Sequence, residues 1–97
     1  MAVKAGTKAV RVRITGQVQA VWFRAWIQEQ ASRRGLSGWV RNRADGSVEA
    51  LFIGPDAAVA GMVAACWDGP PYAAVTGVEE FPAEDDGTVG FRYRPTM

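Results

Sequence analysis

Gly16-Gln17-Val18-Gln19-Ala20-Val21-Trp22-Phe23-Arg24 is the stretch at which the chain changes period. Before it, residues 9–15 (Ala-Val-Arg-Val-Arg-Ile-Thr) alternate strictly, with Val10, Val12 and Ile14 on one side and Arg11, Arg13 and Thr15 on the other. That is the period-2 signature of a strand with one buried face. After it, from Phe23 to Arg34, apolar residues recur at three- and four-residue steps: Phe23, Trp26 or Ile27, and Ala31. That spacing predicts a helix, with Gln28, Glu29, Ser32 and Arg33 outside and Gly35 as its stop. A strand–loop–helix junction is where backbone N–H groups can point together at an anion. The loop closes on Arg24, whose fixed donors match phosphate oxygens. We therefore expect a phosphate-holding loop.

Working outward, residues 36–43 (Leu-Ser-Gly-Trp-Val-Arg-Asn-Arg) read as a second strand, and Val48 to Ile53 as a third. Ala44-Asp45-Gly46-Ser47 lies between them, and Asp-Gly between apolar runs signals a hairpin. Gly54-Pro55-Asp56 begins a second helix, with Val59, Met62, Val63 and Cys66 as its apolar stripe, and Asp68-Gly69-Pro70-Pro71 stops it. Residues 73–81 read as a fourth strand. Pro82 to Gly87 is an acidic turn, and Thr88 to Arg94 a short fifth strand at an edge.

This order predicts an α+β fold: a ferredoxin-like βαββαβ sandwich, an antiparallel sheet with two helices on one face plus the extra edge strand. We expect residues 1–8 to form a flexible N-terminal arm and residues 9–97 a single domain. The topology has a functional consequence. The ends of strands 1 and 2 share one edge of the sheet. With one strand between them, the 16–22 loop and Asn42 come within roughly 10 Å at the backbone.

Composition narrows the chemistry. The chain has no histidine, which removes Ser–His–Asp and Cys–His catalysis and any zinc site that needs imidazole. One cysteine, Cys66, allows no internal disulfide and fits a reducing compartment. A net charge of +1 gives no bulk attraction to nucleic acid or membrane, and no run is long and apolar enough to span a bilayer. We expect a cytoplasmic monomer without metal or cofactor, acting on a small molecule. An RNA-binding sheet of this architecture ranks low, because strand 1 offers Arg11, Arg13 and Thr15 on its outer face and no aromatic.

Two segments resemble the signature of the acylphosphatase family. The first, Gly-x-Val-Gln-Gly-Val-x-Phe-Arg, is matched by Gly16 to Arg24. The second, Gly-aromatic-Val-basic-Asn-x-x-x-Gly-x-Val, is matched by Gly38-Trp39-Val40-Arg41-Asn42, then Gly46 and Val48. The resemblance also takes in Gly54 and Gly69-Pro70, and covers residues 9 to 94. It implies hydrolysis of small acyl phosphates to a carboxylate and inorganic phosphate. Arg24 is similar to the family's phosphate-binding arginine, and Asn42 to its water-orienting asparagine. The amides of Gln17, Val18, Gln19, Ala20, Val21 and Trp22 would cradle the phosphate oxygens.

The chemistry is self-consistent. A carboxylate leaving group needs little protonation, since carboxylic acids have pKa values of about 4 to 5. Phosphoryl transfer depends on positioning and charge stabilisation. One departure stands out: Ala20 replaces a family glycine. A Cβ in a left-handed conformation costs roughly 1–2 kcal/mol. The alternative reading is thus a module that binds phosphate with slow or no turnover. Among the remaining residues, Trp39, Phe23, Trp26 and Phe52 are expected in the core, Cys66 buried and inert, and Arg41 and Arg43 solvated.

Overall fold

The structure, a computed structural model, describes residues 6–97. β1 (Thr7–Gln17) is followed by α1 (Phe23–Arg33), β2 (Ser37–Asn42), β3 (Val48–Pro55), α2 (Asp56–Cys66), β4 (Ala74–Pro82) and β5 (Phe91–Tyr93). The strands form one sheet in the order β4-β1-β3-β2-β5. The alternation in β1 decides which face is which: Val10, Val12 and Ile14 are buried beneath the helices. Val48, Ala50 and Phe52 of β3 and Val40 of β2 join them from the same face. Phe23, Ile27 and Ala31 of α1 and Val59, Met62, Val63 and Cys66 of α2 close the core from above. Each fully buried side chain of this size contributes about 1.5–3 kcal/mol. Trp26 is only half-buried, so Ile27 takes the central position on α1.

Two sets of bounds need correction, and the fold expectation is completed. Of the arm placed at residues 1–8, residues 1–5 lie outside the described residues, while Thr7 and Lys8 belong to β1 and pair with Pro55 and Gly54. β3 reaches far enough to offer them backbone partners, so the strand starts two residues early. The four-stranded antiparallel sheet is as expected, and the fifth strand, whose direction the sequence left open, makes the whole sheet mixed. The pairs β1–β3, β1–β4 and β2–β3 are antiparallel, but β5 runs parallel to β2, with Gly38 opposite Phe91 and Val40 opposite Tyr93. The reason is the connection. β4 and β5 occupy opposite edges, and β4 ends beside the start of β1. The chain crosses at that end and enters β5 beside the start of β2, so β5 must run with it. That strand is short, as expected, but its bounds are narrower, Phe91–Tyr93 within the expected Thr88 to Arg94.

The crossing segment covers part of the face without helices. There Trp39, Leu51 and Ile53 form a second apolar cluster, with Ala9 and Ala83 packed on it. Trp39 Nε1 donates to Asp86 Oδ2 at 3.1 Å, and Arg94 lies 3.6 Å from the same carboxylate. Trp39 is therefore buried as expected, on the face opposite Phe23 and Phe52. Gly38 beside it has φ 134°, and a Cβ there would fall 1.8 Å from the Leu51 carbonyl oxygen, so only glycine lets β2 and β3 approach this closely. Burial pushes the Cys66 thiol up to about 12, with Arg34 opposing the shift weakly.

Candidate active site

The site begins where β1 loses its regular pairing. A register shift falls between Thr15 and Gly16, the mark of a bulge. Gly16 has φ 120°, and a Cβ would lie 2.1 Å from the Ala74 carbonyl oxygen. The chain then leaves the sheet. Val18 plugs into the core and Val21 packs against it, so the loop is anchored at both ends. Ala20 and Trp22 between and beyond these anchors sit at φ 61° and 62°. The conformation that favours glycine is thus present at Ala20, and the alanine adopts it. Trp22 shares the strain, which the sequence did not signal.

The turn leaves its donors open. Among the described residues, none of the amides of residues 18–22 donates to a backbone carbonyl. α1 starts at Phe23 with no side-chain cap and no acidic residue in its first turn, so its leading amides lack intrahelical partners too. Arg24 stands in that turn, at the positive end of the helix dipole, where a cation is unfavourable without an anion nearby. No carboxylate pairs with it among the described residues. Its guanidinium lies 5.5 Å from the centre of the Tyr93 ring.

The second half of the site comes from the β2–β3 hairpin. Asn42 is the last residue of β2, and its side chain shares the helix-side face with Val40. Its Oδ1 is buried with no hydrogen-bond partner. The hairpin beyond it is tightly bonded. Arg43 N donates to the Ser47 carbonyl at 2.9 Å, and Asp45 Oδ1 accepts from both Ser47 N at 2.9 Å and Ser47 Oγ at 2.6 Å. The two Ser47 hydrogen bonds hold the Asp45 carboxyl below its usual range. Gln19 ties the halves together: its Nε2 donates to the carbonyls of Arg43 and Ser47, each at 2.9 Å.

These pieces enclose a cleft of about 300 Å³. Val18, Gln19, Ala20, Trp22, Arg24 and Asn42 line it, as the sequence grouped them, and Phe23, Ala25 and Tyr93 complete its walls. Gln17 and Val21 do not line it. Gln17 is still in the ladder opposite Ala74, and Val21 is turned toward the core. Phe23, expected in the core, serves both the core and the cleft floor. Tyr93 was missed; its alternation with Phe91 was visible, but the parallel pairing that brings it beside Arg24 was not. Trp22, 83% exposed, stands at the mouth.

Arg41 and Arg43 are not simply solvated. On the helix-free face they converge with Arg11 on the carboxylate of Glu49, whose side chain is only 4% exposed. Arg41 Nε and Arg43 Nη1 donate to Oε1 at 2.7 and 3.0 Å, and Arg11 Nη1 to Oε2 at 2.8 Å. Burial alone would push the Glu49 carboxyl up; hydrogen bonds from Arg41, Arg43 and Arg11 outweigh it and hold it below the ordinary value of 4.5. Among the described residues, no three His, Cys, Asp or Glu side chains converge as a metal site requires.

The acylphosphatase sequence profile matches residues 10–93. The chain belongs to the acylphosphatase family. It is 51% identical over 90 residues to an acylphosphatase of Rhodospirillum rubrum, an alignment covering 93% of this chain and 99% of the relative. Its fold superposes on the structure of an acylphosphatase from Coxiella burnetii with TM-score 0.90 at 32% identity, covering 97% of this chain and all of that one. Against the acylphosphatase crystal structure from Bacillus subtilis the TM-score is 0.85 at 37% identity, covering 89% and 97% of the two chains. The acylphosphatase fold is thus shared from the phosphate-loop candidate to the edge strand.

Proposed function

We propose that this chain hydrolyses the carboxyl–phosphate bond of small acyl phosphates, with Arg24 and the loop amides holding the phosphate and Asn42 orienting the attacking water. The observation that carries this reading is the Asn42 Oδ1, a buried acceptor with no partner, in the same cleft as Arg24. A buried polar atom of this kind needs a donor, and a water molecule supplies one. Water oxygen attacks phosphorus, the bond from phosphorus to the acyl oxygen breaks, and the carboxylate leaves with the electron pair. The water's proton passes to a phosphate oxygen. Arg24 and the open amides stabilise the charge that builds on the equatorial oxygens, and their reaction needs no general acid because a carboxylate is a good leaving group.

The left-handed conformation of Ala20, φ 61°, supports turnover, because the alanine adopts the backbone that a glycine there would take. No described helix is long and apolar enough to cross a membrane. We read the protein as a cytoplasmic monomer acting without metal or cofactor. The test is hydrolysis of an aryl acyl phosphate with chelator present. Wild-type turnover is expected, with kcat/KM reduced about 100- to 1,000-fold in Arg24→Ala. No wild-type turnover above the buffer rate, with inorganic phosphate still bound, would reduce the site to a receptor.

A further inference from the structure

Asn42 stands between two arginines held by one oxygen atom. Arg41 and Arg43 both donate to Glu49 Oε1, at 2.7 and 3.0 Å, on the helix-free face. In a strand, neighbours of a residue point to the opposite face. Pinning the residues on both sides of Asn42 to one face therefore commits Asn42 to the other, where the cleft lies. The pin is stiff. Glu49 is the buried residue opposite Arg41 in the β2–β3 register, and Arg11 fixes its second oxygen from β1. Three strands thus meet at one carboxylate.

We propose that Glu49 is a positioning residue for Asn42, acting through Arg41 and Arg43. Glu49 lies on the far side of the sheet from the cleft and touches no reacting atom. Its function is to stop the end of β2 from twisting at the hairpin, so that Asn42 Oδ1 meets the water at a fixed place. The phosphate cradle, built on the other segment, stands outside this clamp except through Gln19. The inference rests on the role assigned to Asn42 above.

The test is a double-mutant cycle in kcat, with Ki for inorganic phosphate as the second readout. Glu49→Gln is expected to lower kcat about tenfold in the wild-type background, since small misplacements of a reacting group carry costs of this order. In an Asn42→Ala background it should lower kcat less than twofold, because the group being positioned is gone. Phosphate Ki should stay within about twofold, and Glu49→Asp should recover part of kcat. Equal kcat losses in both backgrounds, or a phosphate Ki that moves as far as kcat, would overturn the proposal while leaving Asn42 its role. Full turnover by Asn42→Ala alone would remove that role, and the proposal with it. If Glu49→Gln does not fold, Arg43→Met takes its place in the cycle, leaving the carboxylate two arginine partners. A loss confined to the chain that retains Asn42 supports positioning, and an equal loss in both overturns it.

Discussion

The 18–22 loop and the 42–48 hairpin form the two halves of one cleft and are built in opposite ways. The hairpin is close to saturated: Arg43 N, Ser47 N and Ser47 Oγ, and both oxygens of Glu49 just beyond it, have partners within 3.0 Å. The loop is unsaturated and strained, with open amides and two non-glycine residues at positive φ. The difference follows from the roles proposed for the two halves. An anion cradle has to keep donors free, so it cannot be stabilised by using them. Its shape is imposed from outside, by Val18 and Val21 in the core and by Gln19 on the hairpin. Among the described residues the hairpin half leaves two buried side-chain atoms unpaired, Asn42 Oδ1 and Arg43 Nε, and of these two residues only Asn42 lines the cleft.

Three changes put weight on this contrast. The largest acts on the saturated half. Removing the Glu49 charge leaves three arginines without their carboxylate, and breaking a buried ion pair by one partner costs about 3–5 kcal/mol. Chemical denaturation of Glu49→Gln at neutral pH should show a loss near the lower end of that range, because the arginines remain partly exposed. Acid does the same to the wild type. The Glu49 carboxyl titrates lower in the folded chain than its ordinary 4.5, so its stabilisation is full above that pH and is lost as pH falls through the folded value. Asp45 and Asp86 shift the same way, so Glu49→Gln should flatten the acid limb of stability without abolishing it. An unchanged acid limb would show that the cluster does not stabilise the hairpin.

Next comes the link between the halves. Gln19→Leu deletes two hydrogen bonds to the carbonyls of Arg43 and Ser47, a loss of about 1–2 kcal/mol in stability. If the loop depends on outside support, phosphate affinity falls in this variant more than in Glu49→Gln. Titration with inorganic phosphate makes the comparison. The smallest change relieves the unsaturated half. Ala20→Gly should stabilise by about 1 kcal/mol, since glycine takes φ 61° without a Cβ penalty. A thermal melt that moves down instead would mean that the alanine is not strained there.

Much of this was legible in the sequence. The alternation of Val10, Val12 and Ile14 and the stripe Val59, Met62, Val63 and Cys66 report burial directly, because period and face are local properties. The two glycine-bearing motifs placed Arg24 and Asn42 on one edge through topology alone. What stayed hidden depends on register. Glu49 read as one polar residue in an apolar strand, and nothing local says that Arg11 and Arg41 lie beside it on the same face. Tyr93 meets Arg24 only because β5 runs parallel to β2, which follows from a connection that crosses the sheet. Trp22 was quoted within the loop, yet its positive φ has no signature in a tryptophan.

The burial of Cys66 has a consequence for how this protein responds to its surroundings. Histidine and cysteine are the side chains whose ordinary titration lies nearest neutrality. This chain has no histidine, and its one thiol is pushed up to about 12. At pH 7 burial therefore holds Cys66 as the thiol, whereas oxidants attack the thiolate. The protein carries neither a proton switch of the histidine type nor a redox-sensitive thiol. In the proposed reaction the substrate's own phosphate is a group that changes protonation near neutral pH, since the second proton of a phosphate monoester leaves near pH 6. Rate variation with acidity in that range is then expected to report on the cargo before the container.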